Sequence, residues 1–134
     1  MKPSLVLVDP CIPFRQRLEQ WLREDWLVTG SVGTAQEALS LCKSHKPHLL
    51  LTEFCLPDVS GVDLYKVVMS LGAPCPSWVV VSGLRSAMYV SYSFQWGAHD
   101  YLLKPLSRGL LRGVLRTLLP TQNEEDRTSG GEDL

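Results

Sequence analysis

Four short apolar runs constrain this chain more than any other feature, because each ends in a residue able to do chemistry. Leu5-Val-Leu-Val runs into Asp9, and His48-Leu-Leu-Leu-Thr runs into Glu53. Trp78-Val-Val-Val ends in Ser82, and Tyr101-Leu-Leu103 runs into Lys104-Pro105. Continuous rather than alternating apolar runs suit strands covered on both faces, as in parallel sheets. A fifth strand fits between Trp26 and Val32.

Helical segments fill the gaps. Phe14, Leu18, Trp21 and Leu22 recur at helical spacing behind Pro13, which suits a first helical turn. Thr34-Ala-Gln-Glu37 reads as a capping box ahead of Ala38, Leu39 and Cys42. Leu64, Val67, Val68 and Leu71 mark a third helix closed by Gly72. A fourth runs to about Trp96 with Gly97 as its left-handed cap, and Ser107 caps a fifth running to about Leu119. Strict alternation of strand and helix gives an α/β fold, a doubly wound five-stranded parallel sheet with five helices. In such folds the working site lies at the carboxyl ends of the strands. Asp9, Glu53, Ser82 and Lys104 are therefore expected on one rim.

Residues 1–120 are expected to form one domain. Residues 121–134 hold five acids among Ser and Gly and read as an acidic flexible tail or linker. The formal charge of -1 gives no field that would draw nucleic acid or a membrane surface. No secretory signal or spanning segment is read, so the expected location is the cytoplasm. Cys11, Cys42, Cys55 and Cys75 form no CxxC pair, and the three histidines show no ligand spacing, so no metal or other cofactor is expected. Cys11 and Cys55 each sit two residues after a rim acid. A link between them would require Cα atoms within about 7 Å, and in a reducing cytosol unlinked thiols are the expectation.

The motifs Val8-Asp9, Leu56-Pro57-Asp58-Val59-Ser60-Gly61, Ser82, Gly97-Ala98-His99-Asp100-Tyr101-Leu102-Leu103 and Lys104-Pro105 together resemble the receiver domain of two-component response regulators, over about residues 4 to 119. Phe14-Arg15 and Gly30-Ser31 are similar to receivers that precede helix-turn-helix domains. The resemblance implies the flavodoxin-like receiver fold and a signalling role rather than an enzyme. It also implies a magnesium site built from two carboxylates after the first strand and a phosphoacceptor aspartate after the third. This chain departs from both. Pro10 replaces one carboxylate of the first pair, and Glu53 stands at the acceptor position, its extra methylene reaching about 1.5 Å further into the pocket. In-line transfer depends on position, and errors of that size cost roughly 10²-fold. Lys104 matches the lysine that grips the phosphoryl group, Ser82 the hydroxyl that moves toward it, and Tyr101 the aromatic that follows.

These departures make the expected protein an atypical or pseudo-receiver that acts independently of phosphorylation. Glu53 is expected to pair with Lys104, either mimicking the phosphorylated state or as a plain ion pair, in a degenerate pocket of Asp9, Pro10, Glu53, Cys55, Ser82 and Lys104. Two other readings remain open: a phosphoacceptor still active through Asp9, Glu53 or Asp58, and a small-molecule sensor.

The fourth helix suggests a contact surface. On a helical projection Ala87, Val90, Ser91 and Phe94 form the arc expected against the sheet, with Tyr89, Tyr92 and Trp96 on the opposite, solvent side. A second, aromatic face marks a protein contact. Arg108, Arg112 and Arg116 form a stripe on the last helix that is expected near those aromatics. The expected partner is a protein or a second copy, bound through the helix 4–strand 5–helix 5 surface, with service in transcription control and no direct contact of this domain with nucleic acid.

Overall fold

The computed structural model describes residues 1–119. Elements alternate as expected: β1 (Ser4–Val8), α1 (Ile12–Leu22), β2 (Leu27–Val32), α2 (Ala35–His45), β3 (Leu49–Thr52), α3 (Gly61–Ser70), β4 (Ser77–Ser82), α4 (Ala87–Gln95), β5 (Asp100–Leu103) and α5 (Arg108–Arg116). The five strands lie in the order β2-β1-β3-β4-β5, all parallel. The acidic tail lies outside the described residues.

The period-2 geometry of the strands divides their side chains between two cores. Val6, Val8, Leu50, Trp78 and Val80 face one side, where Ala38 of α2 and Val62, Leu64 and Val68 of α3 cover them. Leu5, Leu7, Leu49, Leu51, Val79 and Val81 face the other, under Leu18 and Leu22 of α1 and Leu111 and Leu115 of α5. Polar groups inside the first core are satisfied. Trp78 Nε1 donates to Thr52 Oγ1 at 3.0 Å, and Tyr65, stacked on Trp78, donates its hydroxyl to Pro76 O at 2.8 Å.

Helix starts follow capping chemistry. Thr34, Ser60, Ser86 and Ser107 each accept a backbone N–H of the first turn they precede, whereas α1 begins behind Cys11 with no side-chain cap and a proline in its first turn. Gly97 (φ 108°) provides the left-handed exit from α4. The last helix closes at Arg116 rather than Leu119, ending in a turn.

The buried face of α4 differs from the one expected. Ser93 is fully buried at its centre, flanked by the half-buried Tyr89 and Val90, while Ala87, Ser91 and Phe94 are exposed. The face is turned by about one residue, ~100°, from the sequence projection. The cause is size: the small Ser93 lets the helix lie close to the sheet, its hydroxyl satisfied by Tyr89 O at 2.9 Å. Tyr89 is therefore not a free surface aromatic. Its ring meets the edge of Phe54 at a centroid distance of 5.1 Å and packs against the core.

Candidate functional site

Strand register sets the site. Val8 pairs with Thr52 across β1 and β3, and Glu53 N donates to Val8 O at 2.9 Å, extending the ladder one residue. Asp9 and Glu53 therefore leave adjacent strands side by side. From the other direction, Lys104 follows β5, its N–H bonded to Ser82 O at 2.9 Å. Its ammonium reaches back to donate to Asp9 Oδ2 at 2.8 Å and to Glu53 Oε1 at 3.1 Å. The expected Glu53–Lys104 pair is present, and Asp9 is a second and shorter partner that the sequence reading did not assign.

Both carboxylates are also held by backbone. Asp9 Oδ1 accepts from Cys11 N at 2.8 Å, and Glu53 Oε2 accepts from Phe54 N and, at 3.3 Å, from Cys55 N. The Lys104 ammonium lies 4.2 Å from the centre of the Phe14 ring, and Arg15 donates to Asp9 O. Side-chain exposure is 3% for Asp9, 12% for Glu53 and 25% for Lys104. Burial alone would pull the Lys104 ammonium down, but the hydrogen bonds and charges of Asp9 and Glu53 outweigh it and hold its pKa above the ordinary lysine value.

Ser82 is buried, and its Oγ accepts from Leu84 N at 3.2 Å; the Tyr101 hydroxyl donates to Leu84 O at 2.8 Å with its ring turned inside. Burial, as the largest cause, raises the Tyr101 phenol, so it stays a neutral donor. Ser82 and Tyr101 thus hold the same residue of the β4–α4 loop in one arrangement.

Asp58 plays a different part from the substitute ligand considered in the sequence reading. It accepts from Ala35 N and Gln36 N, both at 2.9 Å, capping α2 from the β3–α3 loop. The Ala35 bond is the largest cause that lowers its pKa. Among the described residues no three His, Cys, Asp or Glu side chains are grouped to hold a metal ion. Cys11 and Cys55 are free, exposed thiols.

The expected contact surface is brought together only in part. Tyr92 and Trp96 are 38% and 37% exposed, on the flank of α4 that faces α3. There Lys66 of α3, unassigned in the sequence reading, donates to the Tyr92 hydroxyl at 3.1 Å and lies 4.0 Å from the Trp96 ring centre. The arginine stripe does not join them. Arg108 and Arg112 pair with Glu24 at 3.5 and 3.1 Å, and Arg112 with Asp25 at 3.3 Å, so both point to the loop between α1 and β2. Opposite charge, hidden 87 residues away in sequence for the Asp25 pair, decides their direction. Arg116 is exposed. Gly109, Leu110 and Gly113 instead face an open groove shared with His99 and Asp100.

The fold has counterparts among known proteins. A family model described as the response regulator receiver domain matches residues 5–116. The Transcriptional regulatory protein HptR of Staphylococcus aureus (strain NCTC 8325 / PS 47) is 33% identical over 96 residues, a match spanning 69% of this chain and 37% of that protein. The match thus spans well under half of that relative. The receiver domain of the putative response regulator NarL from Mycobacterium tuberculosis is 26% identical, with a TM-score of 0.80 over 87% of this chain and 96% of that one. The receiver domain of a putative Luxo repressor protein from Vibrio parahaemolyticus shares the fold at a TM-score of 0.85 and 24% identity, covering 97% of this chain and 99% of that one. The chain belongs to the response regulator receiver domain family.

Proposed function

We propose that this receiver is an atypical, phosphorylation-independent regulatory module that works by protein–protein interaction. The observation that carries the reading is the Lys104 ammonium, seated between Asp9 and Glu53 where the family would hold magnesium. Magnesium takes six oxygen ligands in a strict octahedron. Here Pro10 offers no carboxylate, and both remaining acids are engaged by Lys104 and by backbone N–H groups. The residues present do not fit the ion. The internal cation supplies the compensating charge, and Glu53 fills the space an acceptor aspartate would leave.

The module binds a protein partner, or a second copy, through the α4 surface. Tyr92 and Trp96 are its centre, with Met88 and Phe94 also exposed on a helix that carries no charged residue. The net charge of -1 gives no field that would draw nucleic acid, which favours action through proteins. The name of the staphylococcal relative supports service in transcriptional control within a longer protein.

The test is intact mass after incubation with acetyl phosphate and magnesium. No phosphoryl adduct is expected. A stable gain of one phosphoryl group at Asp9, Glu53 or Asp58 would overturn the reading in favour of a phosphoacceptor still active through another acid. Reverting Pro10→Asp with Glu53→Asp is expected to restore weak magnesium binding by calorimetry.

A further inference from the structure

A second apolar seam runs between α2 and α3. Gln36, Leu39, Lys43 and Lys46 follow one another at helical spacing along α2 and its cap, and Asp63, Val67 and Leu71 do so along α3 and its cap. The two stripes line one groove. Leu39, Val59 and Val67 form its apolar wall near the helix starts, and Val68 and Leu71 continue it toward the helix ends. Val59, Val67 and Leu71 are each 44% exposed, so the seam is open to a partner.

Charge divides along the groove. Asp58 and Asp63 line the end where both helices begin, and Lys43 and Lys46 the end where they finish. Among the described residues neither lysine pairs with an acid, and Asp63 reaches only Lys66, at 3.9 Å. Helix dipoles favour acids at helix starts and bases at helix ends, but they set no direction around the helix. Here the charges sit on the apolar seam itself.

We propose that this seam is a self-association surface on which a second copy of the chain lies antiparallel. Face-to-face two-fold contacts take two forms. An axis along the groove would set Asp63 against Asp63 and lysine against lysine. An axis across the groove reverses the second copy, so Lys43 and Lys46 of each chain meet Asp58 and Asp63 of the other, twice over. Leu39 and Val67, between the charged ends, then meet their own copies near the axis. Exposed charges of this kind orient more than they bind, and the apolar middle supplies the affinity. Few apolar side chains line the seam, which places the contact at the weak end of specific interfaces, with a Kd between about 1 µM and 1 mM.

The experiment is sedimentation equilibrium of the full chain carrying Trp96→Ala, which takes away the contact proposed for α4 and keeps failure of that reading distinct from failure of this one. That background chain should associate with concentration, more weakly at 1 M salt. Val67→Glu sets like charges across the axis and should weaken association at least tenfold. Lys43→Glu with Lys46→Glu, and Gln36→Lys with Asp63→Lys, should each be monomeric alone. An equal mixture of the two should associate again, because each end then meets its opposite. Circular dichroism checks each fold, and should a charge-swapped chain misfold, Val67→Glu decides alone, since Val67 is exposed. A background chain that stays monomeric to about 1 mM, a Val67→Glu chain that sediments like the background, or a mixture that stays monomeric would overturn the proposal.

Discussion

Replacing Lys104 with alanine removes the cation that pairs with the buried Asp9 and the half-buried Glu53. Asp9 and Glu53 would then face each other with exposures of 3% and 12% and no ammonium between them. Removing one member of a buried ion pair costs about 3–5 kcal/mol, chiefly by stranding the charge left behind. Lys104 keeps 25% of its side chain in water, and water entering the vacated site offsets part of the loss, so we expect about 2–3 kcal/mol. For a domain of this size that is roughly 6–15 °C in melting temperature by calorimetry or circular dichroism.

The loss should depend on pH with a definite sign. In the parent, the folded pKa of Lys104 is raised, so its contribution is fully present below the ordinary lysine value and disappears as pH climbs through the raised value. The gap between parent and variant should therefore hold across neutral pH and narrow in the alkaline range. Lys104→Met separates charge from packing, because it keeps an apolar stem against Phe14. It should be nearly as destabilised as the alanine variant at pH 7. A Lys104→Ala protein that melts within a degree or two of the parent at pH 7, or a methionine variant that restores full stability, would refute the electrostatic argument.

Three further outcomes follow from the geometry. Gly61→Ala places a Cβ 2.5 Å from Glu53 O and 2.9 Å from Thr52 Oγ1, so the backbone carrying the acceptor position must shift; a loss of about 2–3 kcal/mol in urea titration is expected. Gly113→Ala meets nothing within 4 Å and should stabilise α5 by ~0.5–1 kcal/mol in the same assay, whereas a loss would mean that the position is packed. Trp96→Ala should leave the fold intact by circular dichroism, weakening it only by the ~0.5 kcal/mol of its contact with Lys66, yet weaken association in sedimentation or pull-down by about 2 kcal/mol or more.

The site was legible where chemistry is fixed by strand ends. Asp9, Glu53, Ser82 and Lys104 each terminate a run too apolar to be anything but a buried strand, and parallel pairing brings such ends to one rim. The second partner of Lys104 was not legible. Sequence shows which charges exist, but the choice of Asp9 over solvent depends on the reach of a lysine across three strands. Helix faces were less readable still. Projection weighs greasiness, so it put Phe94 inside and Tyr89 outside. The helix instead docks through Ser93, the residue small enough for close approach, and a hydroxyl that bonds its own helix behaves there much like an alanine. The stripe of Arg108, Arg112 and Arg116 was read from spacing, but the direction of its first two members is set by Glu24 and Asp25 in a loop that periodicity does not describe.

A chain of contacts joins the pocket to α4. Phe54, the residue after Glu53, carries its ring to Tyr89. Ser82 and Tyr101 hold Leu84 by its N–H and its carbonyl just before the helix begins. Lys66 fastens the outer flank through Tyr92 and Trp96. Each of these contacts is made by the chain's own side chains. A ligand moves an equilibrium only by its differential affinity for two states. On the proposed reading, the triad occupies the place where a phosphoryl group would exert that preference, so α4 keeps the position it has in the resting chain. Control must then enter elsewhere, through the concentration of whatever meets Tyr92 and Trp96. Such control acts on the α4 surface and should be blunted by Trp96→Ala, whereas Lys104→Ala, which alters the pocket, should lower stability first.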